Sequence, residues 1–169
     1  FIGSPYRAEI RECKEAKIVA LCARRQDLLA KAAREDQAQV ATQDWREVVE
    51  HPDVNLVIVG TPDALHHEAV VACAAQGKHL LCEKPVGMNA AEAEEMWGLY
   101  RDAQPALAHF VPFWTRMVGV FGIARDMVAG GELGEIVSTV FRWQNPRPAA
   151  MPLTLSLIHI SEPTRRIHI

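Results

Sequence analysis

No run of apolar residues in this chain approaches the ~18 needed to cross a bilayer as a helix, so no transmembrane span is expected. Phe1–Ile10 also lacks the apolar centre of a secretory leader, because Ser4, Pro5, Arg7 and Glu9 interrupt it. Cysteine is scarce: the four stand at Cys13, Cys22, Cys73 and Cys82, with no CxxC spacing. Zinc ribbons and thioredoxin-like centres need that close pairing, so free thiols in a reducing, cytoplasmic compartment are expected. The seven histidines are scattered and form no HExxH, and no metal site is predicted. Neither sign of charge dominates: 18 basic against 21 acidic residues leave a net charge of -3. That balance gives no electrostatic reason to expect a nucleic-acid partner.

What remains is ordinary globular composition. The 169 residues are 49% hydrophobic and 23% charged, enough for one domain, or one domain and a piece of a second. Ser4-Pro5 reads as an N-cap and first-turn proline opening a helix towards Cys13. Short extended runs at Ile18–Ala23, around Val40, at Asn55–Gly60, at Lys78–Cys82 and at Pro105–His109 alternate with helical patterns. The helices are expected over Asp27–Arg34, from Asp44 through Glu50, and over Leu65–Gln76, stopping at Gly77. Asn89 with Glu92 resembles a capping box, and Ala93, Met96, Trp97 and Tyr100 then share one helical face. That face, Trp97 and the methionines are expected in the core. Met117, Phe121, Ala124 and Val128 form a further stripe that stops at Gly130-Gly131, and Glu135–Trp143 looks extended. This alternation predicts an α/β domain with a doubly wound parallel sheet.

Phe1-Ile2-Gly3 directly precedes the first helix, the place of the last three residues of GxGxxG in a dinucleotide fold. The preceding strand and the first two glycines are not in the sequence. The expected fold therefore lacks its first, central strand, which would leave the flanking strands Ile18–Ala23 and Asn55–Gly60 unpaired on one side. At the other end, Leu155–Arg165 resembles a translated sequencing adapter, and Leu155–Ile169 holds four isoleucines in fifteen residues. Residues 155–169 are read as a non-native tail, with a genuine apolar strand at Leu153–Ile160 as the alternative.

In such a fold the residue that reads the adenosine ribose lies ~20 positions after the glycine turn. Here that position falls on Ala23, Arg24 and Arg25. A small residue followed by guanidinium donors suits a 2′-phosphate, so NADP is favoured over NAD, unless the arginines are plain surface charge. Gly60-Thr61-Pro62-Asp63 and Glu83-Lys84-Pro85 each close an apolar strand. Ligands of open parallel sheets bind at the carboxyl ends of strands, so both turns point to one crevice. A lysine there can stabilise a developing alkoxide, with Glu83 orienting it; the alternative is a structural turn.

Thr61-Pro62-Asp63-Ala64-Leu65-His66 resembles the TPxxxH element of the Gfo/Idh/MocA oxidoreductases. Glu83-Lys84-Pro85, seventeen residues after His66, is similar to that family's EKP signature. Trp114-Thr115-Arg116 and Gly131–Ile136 resemble the opening of its second domain. The resemblance implies a dinucleotide-binding (Rossmann) domain over 1–112 and the beginning of a second α/β domain over 113–154. It also implies hydride transfer between NAD(P) and a sugar, cyclitol or related polyhydroxylated compound, in a homo-oligomer. Gly3 would lie against the pyrophosphate, Thr61, Pro62 and His66 would line the nicotinamide side, and Lys84 would contact nicotinamide ribose and substrate. Glu83, Pro85 and Arg116 complete the implied cofactor-side set, and a cis Lys84–Pro85 bond is implied with them. Asp63 replaces the usual Asn, and Gly119 stands where a proline often follows the arginine. The family's Asp and His proton-transfer pair would lie beyond Pro152, where nothing matches, and with the central strand missing as well this chain itself is expected to be neither stable nor active. A non-catalytic nucleotide-binding or sensing module is the rival reading.

Overall fold

The computed structural model describes residues 3–140 and Arg142. The chain divides into two units, Phe1–Trp114 and Thr115–Ile169. In the first, helices and parallel strands alternate as α1 (Gly3–Glu12), β1 (Ala20–Cys22), α2 (Gln26–Asp36), β2 (Val40–Thr42), α3 (Trp45–Glu50), β3 (Leu56–Val59), α4 (His66–Ala75), β4 (His79–Cys82), α5 (Ala90–Arg101) and β5 (His109–Phe110). Each expected helix and strand of this unit is present, which makes it the predicted α/β fold. The ends follow local chemistry. Asp44 Oδ1 accepts from Arg46 N at 3.0 Å and starts α3, and Gly77, with φ +64°, turns the chain after α4. Asn89 Oδ1 accepts from Glu92 N at 3.0 Å, while the Glu92 carboxylate reaches Met88 N at 2.9 Å rather than the cap's own amide.

All strand pairs are parallel, in two sheets: β1 with β2, and β3-β4-β5. Among the described residues β1 and β3 carry one ladder each and do not pair with one another. Helices α2 and α3 pack on β1 and β2, and α4 packs on β3, β4 and α5. The core is made by the inward side chains of these elements, among them Val57, Val59, Val70, Leu80, Met96 and Tyr100.

Several expectations are corrected. Helix α1 begins at Gly3, so Ser4 and Pro5 lie inside its first turn, where a missing amide hydrogen has no partner to lose. Trp97 is half exposed because it follows buried Met96 by one residue, a rotation of about 100° off the inward face. The Arg101 guanidinium stacks on its ring at 4.6 Å from the centroid. Met88 and Met117 are exposed too, so among the described methionines Met96 alone is in the core. Strand β5 is two residues long, and Pro105–Ala108 stay outside it. In the second unit α6 (Gly119–Ala129) carries Phe121, Ala124 and Val128 of the predicted stripe, while Met117 lies in the 3-10 turn before it; Met117 and Val128 are exposed, and none of the described residues of α6 is buried. The described residues from Glu135 onward form no strand. The tail 155–169 and the Leu153–Ile160 alternative lie outside the described residues.

Candidate functional site

The two turns singled out in the sequence leave neighbouring strands side by side. β3 and β4 pair in register, with Val59 opposite Cys82, so Thr61-Pro62 and Glu83-Lys84-Pro85 emerge at one sheet end. Glu83 N donates to Val59 O at 2.9 Å and continues the ladder into the second turn. The Lys84–Pro85 bond is cis, as the resemblance implies; Gln104–Pro105 is cis as well.

His66, the first residue of α4, locks the turns together. Its ring is 1% exposed, with Nδ1 2.9 Å from Pro85 O and Nε2 3.0 Å from Thr61 O. Both nitrogens therefore face main-chain oxygens inside the protein, and the side chain expected on the nicotinamide side sits between the two turns. The Thr61 hydroxyl oxygen is buried and has no hydrogen-bond partner among the described residues. Such a group is costly to leave unmatched and suits a polar atom of a ligand at this strand end.

Glu83 does not bind the Lys84 ammonium. Its Oε2 accepts from Lys84 N at 3.2 Å and its Oε1 accepts from the Tyr6 hydroxyl at 2.6 Å. The carboxylate thus fixes the backbone of the turn, and Lys84 itself is exposed with no side-chain partner among the described residues. Tyr6 was not legible as part of this site, since 77 residues separate it from Glu83 and no local spacing links them. The same helix is held to α2, where Arg7 binds the Asp36 carboxylate, Glu35 Oε2 at 2.9 Å and Ala32 O at 3.3 Å. Gly3, at the start of α1, is thereby carried on a helix anchored both to α2 and to the Glu83 turn.

At the end of β1 the two arginines differ. Arg25 grips Asp27, Nη2 to Oδ2 at 2.7 Å, and this pairing raises the arginine's basicity and holds the carboxyl below its usual range. Arg24 is exposed and its guanidinium is unpartnered among the described residues, while Gln43 Nε2 donates to its carbonyl at 2.7 Å. Arg116 lies in a short 3-10 turn, Trp114–Met117, that runs into the second unit. No cluster of three metal-ligating side chains occurs among the described residues.

The comparisons with known proteins agree with this arrangement. An oxidoreductase family with an NAD-binding Rossmann fold matches residues 1–109. A levoglucosan dehydrogenase of Pseudarthrobacter phenanthrenivorans is 34% identical over 112 residues, covering 66% of this chain and 28% of that protein. A trans-1,2-dihydrobenzene-1,2-diol dehydrogenase of Bos taurus is 34% identical over 122 residues, covering 72% of this chain and 36% of that one. Among solved structures, a levoglucosan dehydrogenase in complex with NADH superposes with a TM-score of 0.73 at 26% identity, covering 91% of this chain and 44% of its own. The chain thus spans 28–36% of the length of these curated relatives. With the TPxxxH and EKP turns side by side on a parallel sheet, the chain belongs to the Gfo/Idh/MocA oxidoreductase family with its NAD-binding Rossmann fold.

Proposed function

We propose that these residues form the dinucleotide-binding part of an oxidoreductase that moves a hydride between NAD(P) and a hydroxyl-bearing carbon of a sugar, cyclitol or related compound. The observation that carries this reading is the Lys84 ammonium, unpartnered among the described residues, at the strand end where the Thr61-Pro62 and Glu83-Lys84-Pro85 turns meet. A bound nicotinamide dinucleotide supplies or accepts the hydride. Lys84 holds the substrate oxygen and favours its developing negative charge, a role suited to an unpaired cation. Thr61 offers its unmatched hydroxyl to the cofactor, Pro62 and Pro85 shape the turns, and His66 and Glu83 hold them. Gly3 faces the pyrophosphate at the start of α1, where helix amides favour anions. Arg116 belongs to a second domain that begins near residue 113 and supports substrate binding and homo-oligomer formation. The free thiols fit a cytoplasmic protein.

For the adenosine end, Arg24, whose guanidinium has no partner among the described residues, is the group that receives a 2′-phosphate, whereas Arg25 is engaged by Asp27. NADP is therefore favoured over NAD. Titrating the chain with NADPH and NADH, followed by nicotinamide fluorescence, tests this. NADPH should bind more tightly by about 1–3 kcal/mol, the range of a charge-assisted contact, and Arg24→Ala should remove most of the difference. Absence of saturable binding of either nucleotide would defeat the cofactor reading. Equal affinities in both proteins would leave Arg24 as surface charge.

A further inference from the structure

Glu83 sits one residue before the cation that the proposed chemistry depends on, yet its carboxylate is turned away from that cation. One oxygen is held by the Lys84 amide and the other by a phenol from α1. Three contacts thus fix the turn: β3 through Glu83 N, α4 through His66 on Pro85 O, and α1 through Tyr6. The first two grip its backbone directly. The third is different, because it sets the direction of the carboxylate that caps the Lys84 amide, and so the direction in which the Lys84 side chain leaves the sheet.

We propose that Tyr6 is a positioning residue for Lys84, acting through Glu83. The role assigned to Lys84 rests on the function proposed above; the tie itself rests on geometry alone. Half-burial, with the Glu83 carboxylate facing it, pushes the Tyr6 phenol above its ordinary range, so it remains a donor across neutral pH. Tyr6 belongs to the helix whose first residue is Gly3, so the segment that faces the pyrophosphate also sets the turn that carries the substrate-side cation. A change in the position of α1 is passed to Lys84 by one hydrogen bond and one carboxylate.

Residue-resolved amide hydrogen exchange on the full chain tests the tie. Tyr6→Phe keeps the ring and removes only the donor, and Glu83→Ala removes the link. Each should speed exchange at the Lys84 amide about fivefold, the equivalent of one ordinary hydrogen bond, with the Leu80 amide unchanged. In the double variant the second change should add nothing, a non-additivity that general loosening of the fold does not produce. An unchanged Lys84 amide in Tyr6→Phe, or additive effects in the double variant, overturns the proposal. A second readout separates it from the functional reading. With lysines carrying 13C-methyl labels and the Lys84 signal assigned through Lys84→Arg, NADH should move that signal in the parent chain and move it less in Tyr6→Phe. A signal that ignores NADH in the parent chain defeats the role given to Lys84, while the exchange data still decide whether Tyr6 positions it.

Discussion

The ring of His66 lies 2.9 Å from the carbonyl oxygen of Pro85 while its other nitrogen faces the carbonyl of Thr61 at 3.0 Å. One buried side chain therefore spans the ends of β3 and β4, and its single N–H serves one of two main-chain acceptors. Replacing it with leucine keeps much of the volume and removes the donor. A buried carbonyl left without a partner costs about 1–3 kcal/mol, and His66→Leu should lower stability by about that amount. Urea denaturation measures it; an unchanged midpoint would mean the carbonyls find other partners. The same variant should weaken nucleotide binding by moving Thr61 and Pro85 relative to each other.

Lys78 is buried at the start of β4 and makes no ion pair among the described residues. Its ammonium donates to His51 O at 2.9 Å and to Val54 O at 2.7 Å, in the connection between α3 and β3. The Tyr100 hydroxyl donates in turn to Lys78 O at 3.1 Å. Lys78→Met leaves both carbonyls without their donor, and a hydrogen bond from a charged group contributes about 1.5–3 kcal/mol. The variant should therefore unfold at a lower urea concentration. Tyr100→Phe should cost less, because one neutral hydrogen bond is lost. The ranking of the two variants is the check, and the reverse order would refute it.

The thiols give the fold a pH dependence on the alkaline side. Burial first, then the neighbouring Cys82, pushes Cys73 from an ordinary 9.0 up to about 12. Burial and Glu83 push Cys82 up to about 11. A raised pKa in the folded state means the unfolded chain releases these protons first. The contribution to stability is thus fully present below about pH 9 and is lost as pH rises towards 11 and 12. Replacing both cysteines with alanine should flatten the decline in denaturation midpoint above pH 9. At pH 8 an aromatic disulfide reagent should modify exposed Cys13 and Cys22 quickly, and Cys73 and Cys82 only on unfolding.

Much of this architecture was legible because its signals are local. Leu56–Val59 reads as a buried parallel strand from its unbroken apolar run, and Asp44, Gly77 and Asn89 mark helix ends through bonds within a few residues. The turns at Thr61 and Glu83 were legible as strand ends for the same reason. The tie from Tyr6 to Glu83 was not, since a contact between residues 77 apart leaves no periodic trace. Lys78 reads as the first residue of an apolar strand until the carbonyls of His51 and Val54 are placed around it. Trp97 was misplaced because a stripe at i, i+3, i+4 and i+7 is wider than the face that α5 buries.

The uneven pairing of the strands predicts where the backbone opens. β4 is bonded on both sides: His79 N donates to Asn55 O at 2.8 Å and Leu80 N to Ala108 O at 2.9 Å. Among the described residues β1 has β2 on one side only, with Ala23 N donating to Thr42 O at 3.3 Å. Side alternation along a strand then turns the amides of Ala20 and Cys22 to the unpaired edge. In β3 the carbonyls of Asn55 and Val59 face β4, which turns the amides of Leu56 and Ile58 the other way. Polar groups without partners among the described residues, beside buried Val57 and Val59, hold no protection of their own and invite local opening. Amides of Ala20, Cys22, Leu56 and Ile58 should therefore exchange about tenfold or more faster than those of His79 and Leu80. Residue-resolved exchange near neutral pH measures the contrast. Equal protection in the two groups would show that the edges of β1 and β3 are covered in solution, and would refute the two-sheet pairing.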